Sequence, residues 1–352
     1  VGMIANEALL KPVKLGAWHL RNRVVMAPMT RCFADDITGV VGEDVVEYYR
    51  KRAEDGIGLI ITEGIIISPR AKGTIGVPGL YSKDQIEGWR RVTDAVHKAG
   101  GTIIAQLWHV GRLTHHEIAG GLPPQAPSAI AAKGHVHRFG KPFEKPEEMS
   151  ISDIHEVIDQ FALAARHAML AGFDGVEVHG AHGYLIDQFN SDISNHRKDG
   201  YGGSLRQRLT FMKEVLQGVV QEVGAERTSI RFSALKDDQP DYMWDNPVMS
   251  IKEFLNLFRE LDLSVIHPST NHFNAKIDQG KTLHEIVQEN WEGSIIGVGN
   301  LTPAKASHAI KKGTINLAAF GRPLLANSDF INKLVHGKQL TPYDSKHLSS
   351  LF

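Results

Sequence analysis

Short runs of apolar residues recur along the chain. Each is followed by a longer stretch in which apolar positions return every three or four residues. The runs are Arg23–Ala27, Leu59–Thr62, Thr102–Gln106, Gly175–Val178, Ser229–Phe232, Ser264–Ile266, Ser294–Val298 and Ile315–Ala319. A strand buried on both faces has no polar face to alternate with, so these runs predict parallel strands covered by helices. The stretches Val45–Ala53, Gln85–Ala99, Ile154–Ala171, Leu205–Val223, Ile251–Leu261 and Pro303–Lys311 carry the helical period. Eight such units close most naturally into a (β/α)8 TIM barrel, so the expected fold class is α/β. A doubly wound sheet competes with this, but it calls for a Gly-rich turn after the first strand, where Pro28-Met29-Thr30-Arg31 stands.

Punctuation agrees with the pattern. Ser152 with Glu156 nearby, Ser204, and Thr302-Pro303 read as helix starts, while Gly100-Gly101, Gly172 and Gly313 read as helix ends. Two segments fall outside the repeating unit. Residues 11 to 22 predict a short hairpin closing the bottom of the barrel. Residues 108 to 150, rich in Gly, Pro and His, form a long insertion after the third strand, on the face where barrel enzymes place their active sites. No repeat beyond this unit and no linker is visible, so residues 3–345 are expected to form one domain capped by the insertion. Val1-Gly2 ahead of Met3 reads as an appended dipeptide.

Composition then narrows the class. Lys plus Arg is 39 and Asp plus Glu is 40, and a net charge of −1 offers no general attraction to nucleic acid or an anionic membrane. The lone Cys32 excludes an internal disulfide framework and a Cys-cluster metal site, and suits a reducing, cytoplasmic setting. The richest apolar run, Ile57–Ile61, contains Gly58 and ends at Thr62-Glu63, too short to span a bilayer. The N-terminus lacks the basic-then-apolar order of a signal peptide.

Candidate chemistry lies at the C-terminal strand ends. The seventh and eighth runs end in Gly299-Asn300 and Gly321-Arg322, where glycines permit close backbone approach and an arginine fork suits a phosphate; the same glycines could simply turn the chain. Arg231 projects from mid-strand and Gln106 ends the third run. A fixed cation with an amide would suit a heteroaromatic ring that becomes anionic on reduction, or Arg231 could pair with a carboxylate such as Glu63. The richest stretch is His179-x-x-His182-x-Tyr184. Two imidazoles on one helical turn can converge on a single oxygen, and a phenol can act as an acid toward a carbanion. A zinc site using His179, His182, His109, His115 or His116 is the rival, but the His-x-His spacing of two ligands on one strand is absent, so no metal is expected.

These motifs together resemble the Old Yellow Enzyme family of FMN-dependent ene-reductases, over nearly the whole chain. The matching segments are Leu20–Arg31 (LRNRVVMAPMTR), Thr62-Glu63-Gly64, Gln106–Arg112 (QLWHVGR), Gly172–Leu185 (GFDGVEVHGAHGYL), Asn195–Ser204 (NHRKDGYGGS) and Phe320-Gly321-Arg322-Pro323. The resemblance implies an FMN across the barrel mouth. Pro28 and Met29 would contact its ring, Thr30 would bond its carbonyl O4, and Gly64 would let the ring approach. Gln106 and Arg231 would bind the pyrimidine side; Gly299, Asn300, Gly321 and Arg322 would hold the phosphate. His179 and His182 would bind the substrate oxygen, Tyr184 would deliver a proton, and Trp108 would line the pocket together with Thr30.

The activity so implied is transfer of hydride from NADPH or NADH, through FMN, to the β-carbon of α,β-unsaturated carbonyl or nitro compounds, with phenols as further ligands. His182, where many relatives have Asn, resembles the bacterial nitroester and morphinone reductase branch, and Thr30 in place of Cys separates the chain from the thiol-tuned branch. Ser233-Ala234 replaces the usual Ser-Pro, the loop Asp237–Pro247 is unusual, and so is Ile266-His267-Pro268-Ser269. Alternative readings are a flavin-binding protein with little turnover and a metal-dependent barrel hydrolase.

Overall fold

The computed structural model describes residues 2–352, with side chains from Asn6 onward; Val1 lies outside the described residues. All eight anticipated runs are strands of one closed parallel barrel. In chain order they are β1 (Val24–Met26), β2 (Leu59–Ile66), β3 (Ile103–Trp108), β4 (Val176–His182), β5 (Thr228–Lys236), β6 (Val265–Pro268), β7 (Ser294–Gly297) and β8 (Leu317–Phe320). β8 pairs with β1 to close the ring, Ala319 opposite Val25.

Alternation along each strand divides the core. Val25, Leu59, Ile61, Ile104, Val265, Ile296, Leu317 and Ala319 fill the barrel together with Leu15, Trp18 and Leu20. Those last three belong to the N-terminal hairpin, in which Val13–Leu15 pairs antiparallel with Trp18–Leu20. Trp18 Nε1 donates to the Asp174 carbonyl at 2.7 Å, just below β4, so the hairpin closes the end of the barrel opposite the strand C-termini, as expected. The outward-facing residues pack under the surrounding helices.

Helix punctuation holds in part. Ser204 caps Leu205–Arg208, Thr302 caps Pro303–Lys312, and Gly313 ends that helix in the left-handed conformation. The helix expected at Ile154 instead begins at Ile151, capped by Ser150 rather than Ser152. A reciprocal cap needs a partner three residues on; Asp153 provides it for Ser150, whereas Glu156 lies four beyond Ser152. A helix at Gly2–Leu10 was not anticipated. No helix among the described residues is long and apolar enough to cross a membrane.

The candidate active site

Two cavities open at the C-terminal end of the barrel. The first, about 500 Å³, is lined by Pro28, Met29, His182, Arg231, Gly299, Asn300, Gly321 and Arg322, together with Ser269 and the residues after it. The second, about 700 Å³, is lined by Thr30, Trp108, Tyr184, Asp237 and Asp238, and by Lys133, His135, His137 and Phe143 from the insertion. Gly64, Gln106 and His179 line neither directly.

His179 joins the two. Its ring stacks on Trp108 at 6.1 Å, and its face-to-edge neighbours are Tyr184 at 4.9 Å and His182 at 5.5 Å. The Ala181 N–H donates to His179 Nδ1 at 3.3 Å, which leaves the ring proton on Nε2. The two histidines are not on a helical turn, as the spacing had suggested, but on β4. Residues three apart on a regular strand face opposite sides; here the register shifts between Gly180 and His182, and His182 takes φ 61°, which swings its ring back beside His179. His182 Nε2 lies 2.8 Å from Ser269 Oγ.

Arg231 is 7% exposed, and no carboxylate lies within ion-pair distance of it among the described residues. Its Nε is buried without a partner. The alternative partner Glu63 instead meets the Tyr49 hydroxyl. The other nearby acid, Glu177, is occupied: Gln106 Nε2 donates to it at 3.1 Å, Ser229 Oγ at 3.0 Å, and His267 Nδ1 lies at 2.9 Å. Burial opposes its ionisation, yet His267 and Arg231 hold it below the usual carboxylate range. Gln106 is therefore tied by its amide nitrogen to this buried acid beneath the cavities.

Just beyond β7, Gly299 has φ 128°, and a Cβ there would sit 2.7 Å from the Phe273 backbone nitrogen, so only glycine fits. Asn300 is also left-handed, at φ 54°. The exposed Arg322 lays its guanidinium over the Tyr343 ring, 5.1 Å from the centroid. Gly64 also makes room for a protein neighbour: a Cβ there would lie 2.5 Å from Trp108 Cε3. Gly64→Ala should push the indole into the larger cavity and weaken the binding of bulky ligands there several-fold more than of small ones; equal affinities would show that the indole yields without cost.

The site imidazoles are neutral. Burial lowers His179 to about 3, with Arg231 adding to the effect, and drives His182 well below its ordinary value. Burial also takes His109 to about 4 and His284 to about 3. Each stays uncharged in the fold but takes a proton near pH 6.5 once unfolded. The unfolded chain then binds more protons, so stability is present above pH 6.5 and is lost as pH falls, by about 2 kcal/mol per histidine at pH 5. Glu63, pushed up to about 7 by burial, acts in the opposite direction and offsets roughly one of them. Thermal stability should therefore fall steadily from pH 6.5 to 5; a flat profile would mean the imidazoles are charged in the native protein.

Ser269, Asp237, Asp238, Arg112 and Lys236 carry no role in the sequence pattern. Ser269, Asp237 and Asp238 lie in segments that depart from the family pattern, Arg112 ends a segment that matches it, and nothing singles out Lys236. Among the described residues the His/acid cluster with metal-holding spacing is His115–His116–Glu117, on the insertion and outside both cavities; Glu144 lies 2.7 Å from His116.

The sequence pattern of the NADH:flavin oxidoreductase / NADH oxidase family matches residues 8–341. The chain belongs to this family, that of Old Yellow Enzyme. It is 38% identical to flavin oxidoreductase hxnT of Emericella nidulans, over 96% of this chain and 93% of that protein. It is 36% identical to a probable flavin mononucleotide-dependent alkene reductase of Leishmania infantum, over 96% and 93% of the two chains. Morphinone reductase, solved in complex with tetrahydroNAD, superposes with a TM-score of 0.89 at 34% identity, covering 97% of this chain and 94% of that one. The protein is thus an FMN-dependent NAD(P)H oxidoreductase of the alkene-reductase type, with the barrel of the Old Yellow Enzymes.

Proposed function

We propose that the protein reduces the C=C bond of α,β-unsaturated carbonyl and nitro compounds, using NADPH or NADH. The observation that carries this reading is the buried, unpaired Arg231 between glycine-lined strand ends and the His179–Tyr184–Trp108 cluster. FMN has both a phosphate and a ring that becomes anionic on reduction, and the smaller cavity suits both. Gly299, Asn300, Gly321 and Arg322 would hold the phosphate. Pro28, Met29 and Thr30 would line the ring edge with Gly64 behind them, and Arg231 and Gln106 would serve the pyrimidine side. When bound, FMN supplies hydride taken from NAD(P)H to the β-carbon of the alkene.

The chain's own groups do the rest. His179 offers its Nε2 proton to the substrate oxygen, and His182 can join it on leaving Ser269; two neutral donors stabilise the enolate charge as an oxyanion hole does. Tyr184 is held well above 10 by burial and by Asp237, so it remains a protonated donor for Cα. Trp108 and the insertion wall the pocket around the alkene. A flavin carrier would have no use for such a donor.

Phenols test the oxygen site, since a phenolate mimics the enolate oxygen. His179→Ala should weaken 4-hydroxybenzaldehyde binding about tenfold, and His182→Ala two- to threefold because that ring must first leave Ser269. The double replacement should abolish the long-wavelength phenolate–flavin band. A band of native strength in the double variant would overturn the oxygen-binding roles.

A further inference from the structure

Three consecutive side chains at the end of β5 each have a partner on another segment. Lys236 Nζ lies 3.0 Å from Asp187 Oδ2 in a buried ion pair. Asp237 Oδ2 accepts a hydrogen bond from the Tyr184 hydroxyl at 2.8 Å. Asp238 Oδ2 accepts from Arg112 at 3.1 Å in a second buried pair. The Asp237 N–H also donates to the His182 carbonyl at 2.9 Å. The chain is therefore fixed on both sides of Asp237, whose carboxylate meets the phenol as a held group and also opens onto the larger cavity.

We propose that Asp237 aims and replenishes the proton that Tyr184 delivers, so that the acid in alkene reduction is a tyrosine–carboxyl pair. This rests on the reductase reading above. With Asp237 ionised, Tyr184 points its only hydroxyl proton at the carboxylate and has none free for Cα. A phenolate formed there would face a carboxylate at hydrogen-bond distance. With Asp237 protonated the bond reverses. The carboxyl then donates to the phenol oxygen, and Tyr184 turns its own proton toward the substrate. As the new Cα–H bond forms, the Tyr184 O–H bond breaks; that bond is remade as the Asp237 O–H bond breaks. The carboxylate then takes a proton from water reaching the cavity. The proton travels alone in both transfers, and no electrons are exchanged.

The groups facing Asp237 are Tyr184 just after β4, Arg231 from β5, Asp238 next in the chain, and Lys133, His135 and His137 across the cavity. Asp237 is an exposed residue, yet desolvation by the protein around its carboxyl raises it above its ordinary value; Tyr184 and Arg231 oppose this, and Asp238 adds to it. His179 at about 3 and Tyr184 well above 10 leave the intervening range clear of their own ionisations.

The test is rapid-mixing kinetics of FMN-loaded protein, following reduction by NADH and then reoxidation by 2-cyclohexenone, from about pH 5.5 to 9. In the native protein reoxidation should fall about tenfold per pH unit above one ionisation. Asp237→Asn keeps the size and the hydrogen bond but has no proton to lose. It should be about tenfold slower at the acid end and independent of pH, with reduction by NADH within threefold of native. Asp237→Glu should restore the pH break. A break that persists in Asp237→Asn would belong to another group and overturn the proposal, as would an unchanged rate at acid pH. If the native protein fails to reoxidise with the enone, the reductase reading falls and this proposal with it. Normal native turnover with an insensitive Asp237→Asn variant overturns this proposal alone.

Discussion

Replacing Tyr184 with Phe slows reoxidation by 2-cyclohexenone about 10²–10⁴-fold, the usual worth of a general acid, while flavin reduction by NAD(P)H changes only a few-fold. Hydride transfer to flavin needs no side-chain proton, whereas the enone is left with a carbanion that must be protonated at Cα. The phenyl ring keeps the edge contacts to Trp108 at 5.0 Å and to His179 at 4.9 Å, so pocket shape survives. Nitroalkenes should be partly spared at the flavin step, because a nitronate is stable enough to leave unprotonated. Rapid-mixing measurement of both halves decides the matter. Equal slowing would make Tyr184 a wall of the pocket, and no slowing would remove it from the mechanism.

The second large effect falls on Arg231. A charge-assisted hydrogen bond to a bound group is worth about 1.5–3 kcal/mol, so Arg231→Ala should weaken FMN binding about 10- to 100-fold and lower the potential of what remains bound. The flavin-free protein should respond differently. Arg231 is buried without an ion pair among the described residues, so its removal relieves a desolvated charge, and the apo variant should unfold no earlier than native apo protein. A side chain serving only an internal pair would give the reverse: unchanged flavin and lost stability. Fluorescence titration with FMN and thermal unfolding of both apo proteins separate the two.

The barrel was legible because strands buried on both faces write continuous apolar runs, and the helices between them write a 3.6-residue period. What was not legible lay where a polar residue is buried or where periodicity breaks. β2 runs on to Ile66, past Thr62-Glu63-Gly64, because Glu63 finds the Tyr49 hydroxyl inside the protein. The irregularity in β4 that sets His182 beside His179 has no signature in the sequence beyond the Gly183 that follows. The site residues named from the strand ends do gather at one face, with Gln106 beneath the cavities rather than on their walls. The partners of Lys236, Asp237 and Asp238 lie far off in sequence, and spacing alone cannot reveal such pairs.

The most direct measurement is anaerobic. The FMN-loaded protein is reduced with one equivalent of NADPH or NADH and then mixed with 2-cyclohexenone, with flavin absorbance and product followed together. This account predicts that the flavin bleaches, returns fully oxidised, and yields one equivalent of the saturated ketone. Flavin that bleaches but is not reoxidised by the enone, or that returns without ketone, would contradict it.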